Sequence, residues 1–180
     1  MEAQARYSLP RVDSGGTFPP IEKIMSEAEF MRAAIKLADE GMRSGRGGPF
    51  GCVVVRRGEI IGRGSNRVTS TNDPTAHAEV VAIRDACAAL QTFQLDDCEI
   101  YTSCEPCPMC LSAIYWARIP RTFYGNTRGD AAAIGFDDDF IYRQVALPLE
   151  QRARKMEPLL RDEAQVTFKE WTLKNDKVRY

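Results

Sequence analysis

Residues 98–125 read CEIYTSCEPCPMCLSAIYWARIPRTFYG. Cys98 to Ser103 has the apolar and β-branched make-up of a strand. Pro106 and Pro108 stand where a helix begins, because proline is tolerated in a first helical turn. Leu111, Ala113, Ile114 and Trp116 carry that helix on to Arg118. Arg121 to Gly125 then reads as a further short strand. A strand, a helix and a strand in so short a span place the chain among layered α/β domains with a central sheet.

The same alternation extends upstream. Ser26 and Glu29 have the spacing of a capping box, and Phe30, Ala34, Leu37, Ala38 and Gly41 follow at helical spacing with Met31 and Ile35 beside them. Gly45, Gly47, Gly48 and Pro49 end that helix. Phe50 to Val55 is a nearly continuous apolar run, as in a strand buried on both faces. Arg57-Gly58 is a turn, and Glu59 to Gly64 returns as a second strand. Asp73-Pro74 signals the start of another helix, with Ala76, Val80, Ile83, Cys87 and Leu90 as its apolar stripe. Downstream the pattern weakens: Asp130 to Ile134 reads as a short helix, Val166 to Phe168 as a strand and Lys169 to Lys177 as a final helix. Residues 1–24, punctuated by Pro10, Gly15, Gly16, Pro19 and Pro20, read as a flexible leader, and 25–180 as a single domain.

Composition narrows the function. Among 180 residues, 24 Lys and Arg balance 25 Asp and Glu for a formal charge of -1. No strong positive field gathers nucleic acid, which argues against a polynucleotide substrate. The chain contains no apolar stretch of membrane-spanning length, and nothing before Lys23 resembles a signal peptide. The expected location is cytoplasmic, with the six cysteines reduced. Clustered thiols in a reducing compartment bind metal or do redox work.

The cluster is His77-Ala78-Glu79 followed by Pro106-Cys107-Pro108-Met109-Cys110, with Cys107 thirty residues after the histidine. H-x-E followed by P-C-x-x-C is a known zinc deaminase signature, with one His and two Cys on the metal. The chemistry suits that pattern. Zinc takes imidazole and thiolate ligands, and a catalytic site keeps a fourth position for water. Cys107 and Cys110 share a helix face, near a helix start whose dipole favours thiolates. Glu79, two residues from His77, suits a proton carrier better than a second ligand. Taken alone, His77 is an ordinary histidine and Cys107–Cys110 a generic pair; their order and spacing together give the signal. Cys104-Glu105-Pro106-Cys107 is a competing CxxC, which leaves open a redox pair or a closed structural zinc module with Cys104 as fourth ligand. Cys107 and Cys110 are preferred because both fall within the expected helix.

Taken with Gly47-Gly48-Pro49-Phe50-Gly51, Asn72 to Val80, Leu95 to Cys98, Tyr101 to Cys110, Ala113 to Arg118, Ile134-Gly135-Phe136-Asp137-Asp138 and the terminal Tyr180, these motifs resemble the cytidine deaminase-like superfamily. Within it they are most similar to the bacterial guanine deaminases. The zinc motif is common to the superfamily; the Gly-Phe-Asp-Asp stretch and the tyrosine terminus carry the narrower likeness.

The resemblance implies a three-layer α/β/α fold with a central mixed sheet of about five strands. It implies one Zn2+ per subunit on His77, Cys107 and Cys110, and hydrolysis of guanine to xanthine and ammonia. Glu79 would move a proton from water to a ring nitrogen, and Asp138 would assist departure of the amine. Asn66 and the backbone around Ala78 would read the base, with Phe50 and Trp116 against the ring. The protein would be a homodimer in which residues 136–180 are exchanged, so that Tyr180 caps the neighbour's site. Guanosine, another aminopurine or aminotriazine, cytosine, and adenosine in tRNA remain alternative substrates of the same chemistry. Without the resemblance, Asp137, Asp138 and Asp139 read as a solvated acidic run, Asn66 as a turn residue and Tyr180 as a chain end.

Overall fold

The structure, a computed structural model, describes residues 25–179. The expected leader therefore falls outside the described residues, as does Tyr180. A four-stranded sheet forms the middle layer, in the order β2-β1-β3-β4. Its strands are β1 (Gly51–Arg56), β2 (Glu59–Ser65), β3 (Cys98–Cys104) and β4 (Arg121–Asn126). β1 pairs antiparallel with β2 and β3, and β3 pairs parallel with β4. The sheet is thus mixed, with one strand fewer than expected among the described residues.

Strand periodicity divides the core between two faces. Val53 and Val55 of β1 face helix α1 (Glu27–Arg43) and pack with its Phe30 and Ala34 and with Tyr101. Cys52 and Val54 face the other way, onto α3 (Ala78–Leu90) and α4 (Pro108–Trp116), through Ala78, Ala82, Ala86 and Ile114. Because β1 is buried on both sides, it carries the unbroken apolar run noted in the sequence. The capping box at Ser26 and Glu29 is present at the start of α1. Arg57 and Gly58 both have positive φ, 52° and 84°, as a two-residue hairpin turn between right-twisted strands requires.

The contact that positions the site is β2 against α3. A Cβ on Gly62 would fall 2.4 Å from the Ala82 carbonyl oxygen, and one on Gly64 would fall 2.0 Å from that of Ala78. Only a strand without side chains at those positions can lie flush on the helix backbone.

Three sequence expectations shift. The helix expected from Asp73-Pro74 begins at Ala78. Asp73 Oδ1 accepts from the Thr75 amide at 2.8 Å and the Thr75 hydroxyl at 2.6 Å. This Asx turn holds Pro74 in a bend instead of a first helical turn. The strand expected at Val166–Phe168 lies inside α7 (Arg161–Leu173). Helix formers flank it on both sides, and Asp162 and Glu163 suit the helix N-terminus. The final helix accordingly lies earlier than the expected Lys169–Lys177. Three elements were not anticipated in this form: α2 (Val68–Thr71), α5 (Arg128–Ala133), which begins two residues before Asp130, and α6 (Asp138–Ala146).

Candidate active site

His77 is the N-cap of α3, and Cys107 is the N-cap of α4 with Pro108 at the first helical position. Cys107 therefore stands just outside the helix that was expected to contain it, and Cys110 lies in its first turn. The folding of α3 and α4 onto one face of the sheet brings these two N-termini together. Both ends present positive partial charge, which favours thiolates and a carboxylate between them.

His77 Nδ1 lies 3.6 Å from the Cys107 sulfur and 3.5 Å from the Cys110 sulfur. All three ligand atoms fall within 4.8 Å of one another. Tetrahedral zinc, with bonds of about 2.3 Å to sulfur and about 2.0 Å to nitrogen, holds such atoms roughly 3.6 Å apart. The donor set and its spacing fit zinc, with three protein ligands and one position left over. Cys104 is not part of this cluster; its thiol donates to the Thr127 carbonyl oxygen at 3.6 Å. Burial pushes the Cys104 thiol up to about 11, so it stays protonated. Among the described residues the four-ligand alternative thus lacks its fourth ligand.

The ionisation of the cluster follows from its crowding. The contact with Cys110 holds the Cys107 thiol well below its ordinary value, and His77 acts in the same sense. The same contact pushes Cys110 upward, as two sulfurs sharing one proton require. The Cys107 sulfur in turn raises the His77 imidazole. Glu79, only 6% exposed, is raised by burial and by the nearby Cys107 sulfur. Asp138 is raised for the same two reasons, burial first. Both carboxyls are thereby moved toward the range in which a group can give as well as take a proton.

These side chains line a cavity of about 330 Å³. Phe50, Asn66, His77, Glu79, Cys107 and Asp138, all expected at the site, meet there. Among the described residues three expected ones do not. Cys110 is fully buried and joins the metal cluster without lining the cavity. Ala78 is fully buried against β2. Trp116 ends α4, six residues beyond Cys110 and hence about 9 Å along the axis. It is 61% exposed and faces a shallow groove with Trp171 and Val178 instead.

The cavity also contains Val68, Thr69, Glu105 and Phe136, which the sequence reading did not single out. Phe136 meets Phe50 edge to face, with ring centroids 4.7 Å apart, to form an aromatic wall. It lies in the Gly-Phe-Asp-Asp stretch already quoted, so its signal was present. Val68 and Thr69 had none, because α2 has no apolar periodicity of its own.

Asn66 has a defined orientation. Its Oδ1 accepts from the backbone N–H groups of Gly48 at 3.3 Å and Val68 at 3.2 Å. With the oxygen occupied by two backbone donors, the amide NH2 is the end left for a ligand, and it can only donate.

Comparison with known proteins agrees with this geometry. Residues 25–126 match the family model of the cytidine and deoxycytidylate deaminase zinc-binding region. The chain is 58% identical to guanine deaminase of Bacillus subtilis over 128 residues, 71% of this chain and 82% of that protein. The X-ray structure of Bacillus subtilis guanine deaminase superposes with a TM-score of 0.84 at 51% identity, covering 87% of this chain and 99% of that one. A tRNA-specific adenosine deaminase of Aquifex aeolicus is 39% identical over 100 residues, 56% of this chain and 66% of that protein. The matched span holds His77, Glu79, Cys107 and Cys110, and with the zinc-compatible spacing of those side chains it makes this chain a member of the cytidine and deoxycytidylate deaminase family.

Proposed function

We propose that this protein hydrolyses guanine to xanthine and ammonia, using one zinc ion held by His77, Cys107 and Cys110. The observation that carries the reading is the placement of two carboxyls, Glu79 and Asp138, in one cavity beside the three metal donors. The likeness to Bacillus subtilis guanine deaminase over most of both chains supports guanine as the base.

When bound, zinc lowers the pKa of water toward neutrality and so makes a nucleophile available. Glu79 accepts the proton that water gives up and delivers it to the ring nitrogen adjacent to C2. The water oxygen bonds to C2; the proton left on that oxygen, carried by Glu79 or Asp138, goes to the exocyclic nitrogen, and ammonia leaves as the C2–N bond breaks and the C2 carbonyl forms. Water is consumed and no oxidant is needed. Asn66 donates through its NH2 to an acceptor on the base, which favours a carbonyl-bearing edge over an amino-bearing one. Phe50 and Phe136 pack on the ring.

Within residues 136–180, Phe136 and Asp138 line this chain's own cavity, and the stretch beyond α6 completes the site of a second copy. Its helix α7 buries no residue, and Phe168 and Leu173 are 69% and 79% exposed. Such an apolar surface on an extended arm supports packing against a partner in a homodimer. Tyr180 would then reach the partner's pocket. The described residues contain no helix long and apolar enough to cross a membrane. The six unpaired cysteines support a reducing, cytoplasmic setting.

Ammonia release from guanine, guanosine, adenine, cytosine and a tRNA transcript tests the substrate, with guanine expected to react fastest. Turnover of another of these in preference to guanine overturns the choice of base. Light scattering tests the assembly, and a monomeric mass overturns the exchange.

A further inference from the structure

Asp138 and Tyr142 are four residues apart on α6 and therefore share one face of that helix, a turn apart. Asp138 lines the cavity. The Tyr142 hydroxyl reaches instead to the loop that precedes the metal-binding cysteines, donating to the Pro106 carbonyl oxygen at 2.7 Å. Pro106 is bonded directly to Cys107. The Arg128 guanidinium covers the Tyr142 ring, 4.9 Å from its centroid. Arg128 is tied to the same loop, its backbone N–H donating to Glu105 Oε2 at 3.0 Å and its Nε lying 4.0 Å from Oε1. Tyr142 is thus the point where α5, α6 and the metal loop meet.

Helix α6 depends on such a fastening because it buries no residue fully. Packing alone fixes a helix when an apolar stripe is keyed into the core, and α6 has none. A hydrogen bond of defined direction supplies the alignment that burial does not.

We propose that Tyr142 is a positioning residue for Asp138, its bond to the Pro106 carbonyl setting the distance between the Asp138 carboxylate and the His77–Cys107–Cys110 centre. The proposal rests on the reading above, in which Asp138 handles a proton. Displacing a reacting group by about 1 Å costs on the order of 10²-fold in rate, so a drifting α6 would slow the reaction without emptying the metal site.

The test is a double-mutant cycle of wild type, Tyr142→Phe, Asp138→Asn and the double variant. Zinc content and hydrogen exchange are measured on each. Tyr142→Phe removes the hydroxyl and keeps the ring under Arg128. Its kcat is expected to fall roughly 10- to 100-fold with KM changed less than about threefold and zinc retained. In the Asp138→Asn background the same substitution is expected to change kcat by less than about twofold, because its effect runs through Asp138. Amides of residues 138–146 should exchange faster in Tyr142→Phe while those of 78–90 stay unchanged. Multiplicative effects in the cycle, loss of zinc from Tyr142→Phe, or unchanged exchange across α6 would each overturn the proposal. The cycle is run on whichever base the ammonia screen identifies, so an error in the base leaves it intact. A wild-type protein that releases ammonia from no base overturns the functional reading, whereas a failed cycle with an active wild type overturns the role of Tyr142 alone.

Discussion

Replacing Gly64 with alanine probes the seam between β2 and α3. The new Cβ would lie 2.0 Å from the Ala78 carbonyl oxygen and 2.7 Å from the Ala82 nitrogen. A carbon needs about 3.3 Å from a carbonyl oxygen, so strand and helix must part by roughly 1.3 Å. Both obstructing atoms are helix backbone, and no side-chain rotation relieves them. Overpacking of this kind costs about 1–3 kcal/mol. For a chain of this size that lowers Tm by roughly 2–12 °C. Ala78 sits between His77 and Glu79, so a shift taken up at this end of α3 opens the 3.5 and 3.6 Å spacings of His77 Nδ1 from the two sulfurs. Zinc affinity should drop on the order of 10–100-fold, as when a supporting contact of a metal ligand is lost. Calorimetry and a zinc competition titration read the two effects. Gly129→Ala is the control: its Cβ would meet Thr127 Oγ1 at an ordinary 3.5 Å within α5. It should be neutral or gain about 0.4–1 kcal/mol. A Gly64→Ala protein that melts with wild type and binds zinc equally well would refute the claim that this seam places His77.

Glu79→Gln should hold zinc at wild-type stoichiometry while kcat falls on the order of 10²–10⁴-fold; turnover at the wild-type rate would remove Glu79 from the reaction. Asn66→Asp keeps an acceptor for the Gly48 and Val68 amides but turns the ligand-facing end from donor to acceptor. Its fold should persist while KM for guanine rises about tenfold or more, and an unchanged KM would mean the base does not meet this group. Arg56 grips both oxygens of Asp97 at 2.9 and 2.8 Å and holds its carboxyl below the usual range. A lowered folded-state pKa stabilises above the unfolded value of about 3.9, and that contribution is lost as pH falls through the folded value. Asp97→Asn should therefore melt below wild type at pH 7, with the gap closing under acid; a gap constant from pH 7 to pH 2 would contradict this.

Local chemistry made much of the molecule readable in advance. The Ser26–Glu29 capping box, the Arg57-Gly58 hairpin and the doubly buried β1 each depend on residues a few positions apart, so the sequence states them directly. The metal donors were legible for a related reason: zinc requires particular residue types, and only a few arrangements of His and Cys satisfy it. The start of α3 was misplaced because the Thr75 contacts to Asp73 outcompeted a helical turn at Pro74. Helix α6 is short and keys no residue into the core, with Ile141 and Val145 left 42% and 53% exposed, so its sequence alone does not announce it.

By itself the sequence determined the layered α/β class, the capping signals and the candidate zinc donors, since each is written in short-range pattern or residue chemistry. Only the tertiary structure decided which way the Asn66 amide faces, that Phe136 shares a wall with Phe50, that Cys104 turns to Thr127, and that Trp116 stands apart from the cavity. Those four outcomes depend on contacts between segments distant in the chain, whose geometry exists only once the sheet has brought α3, α4 and the loops to one edge.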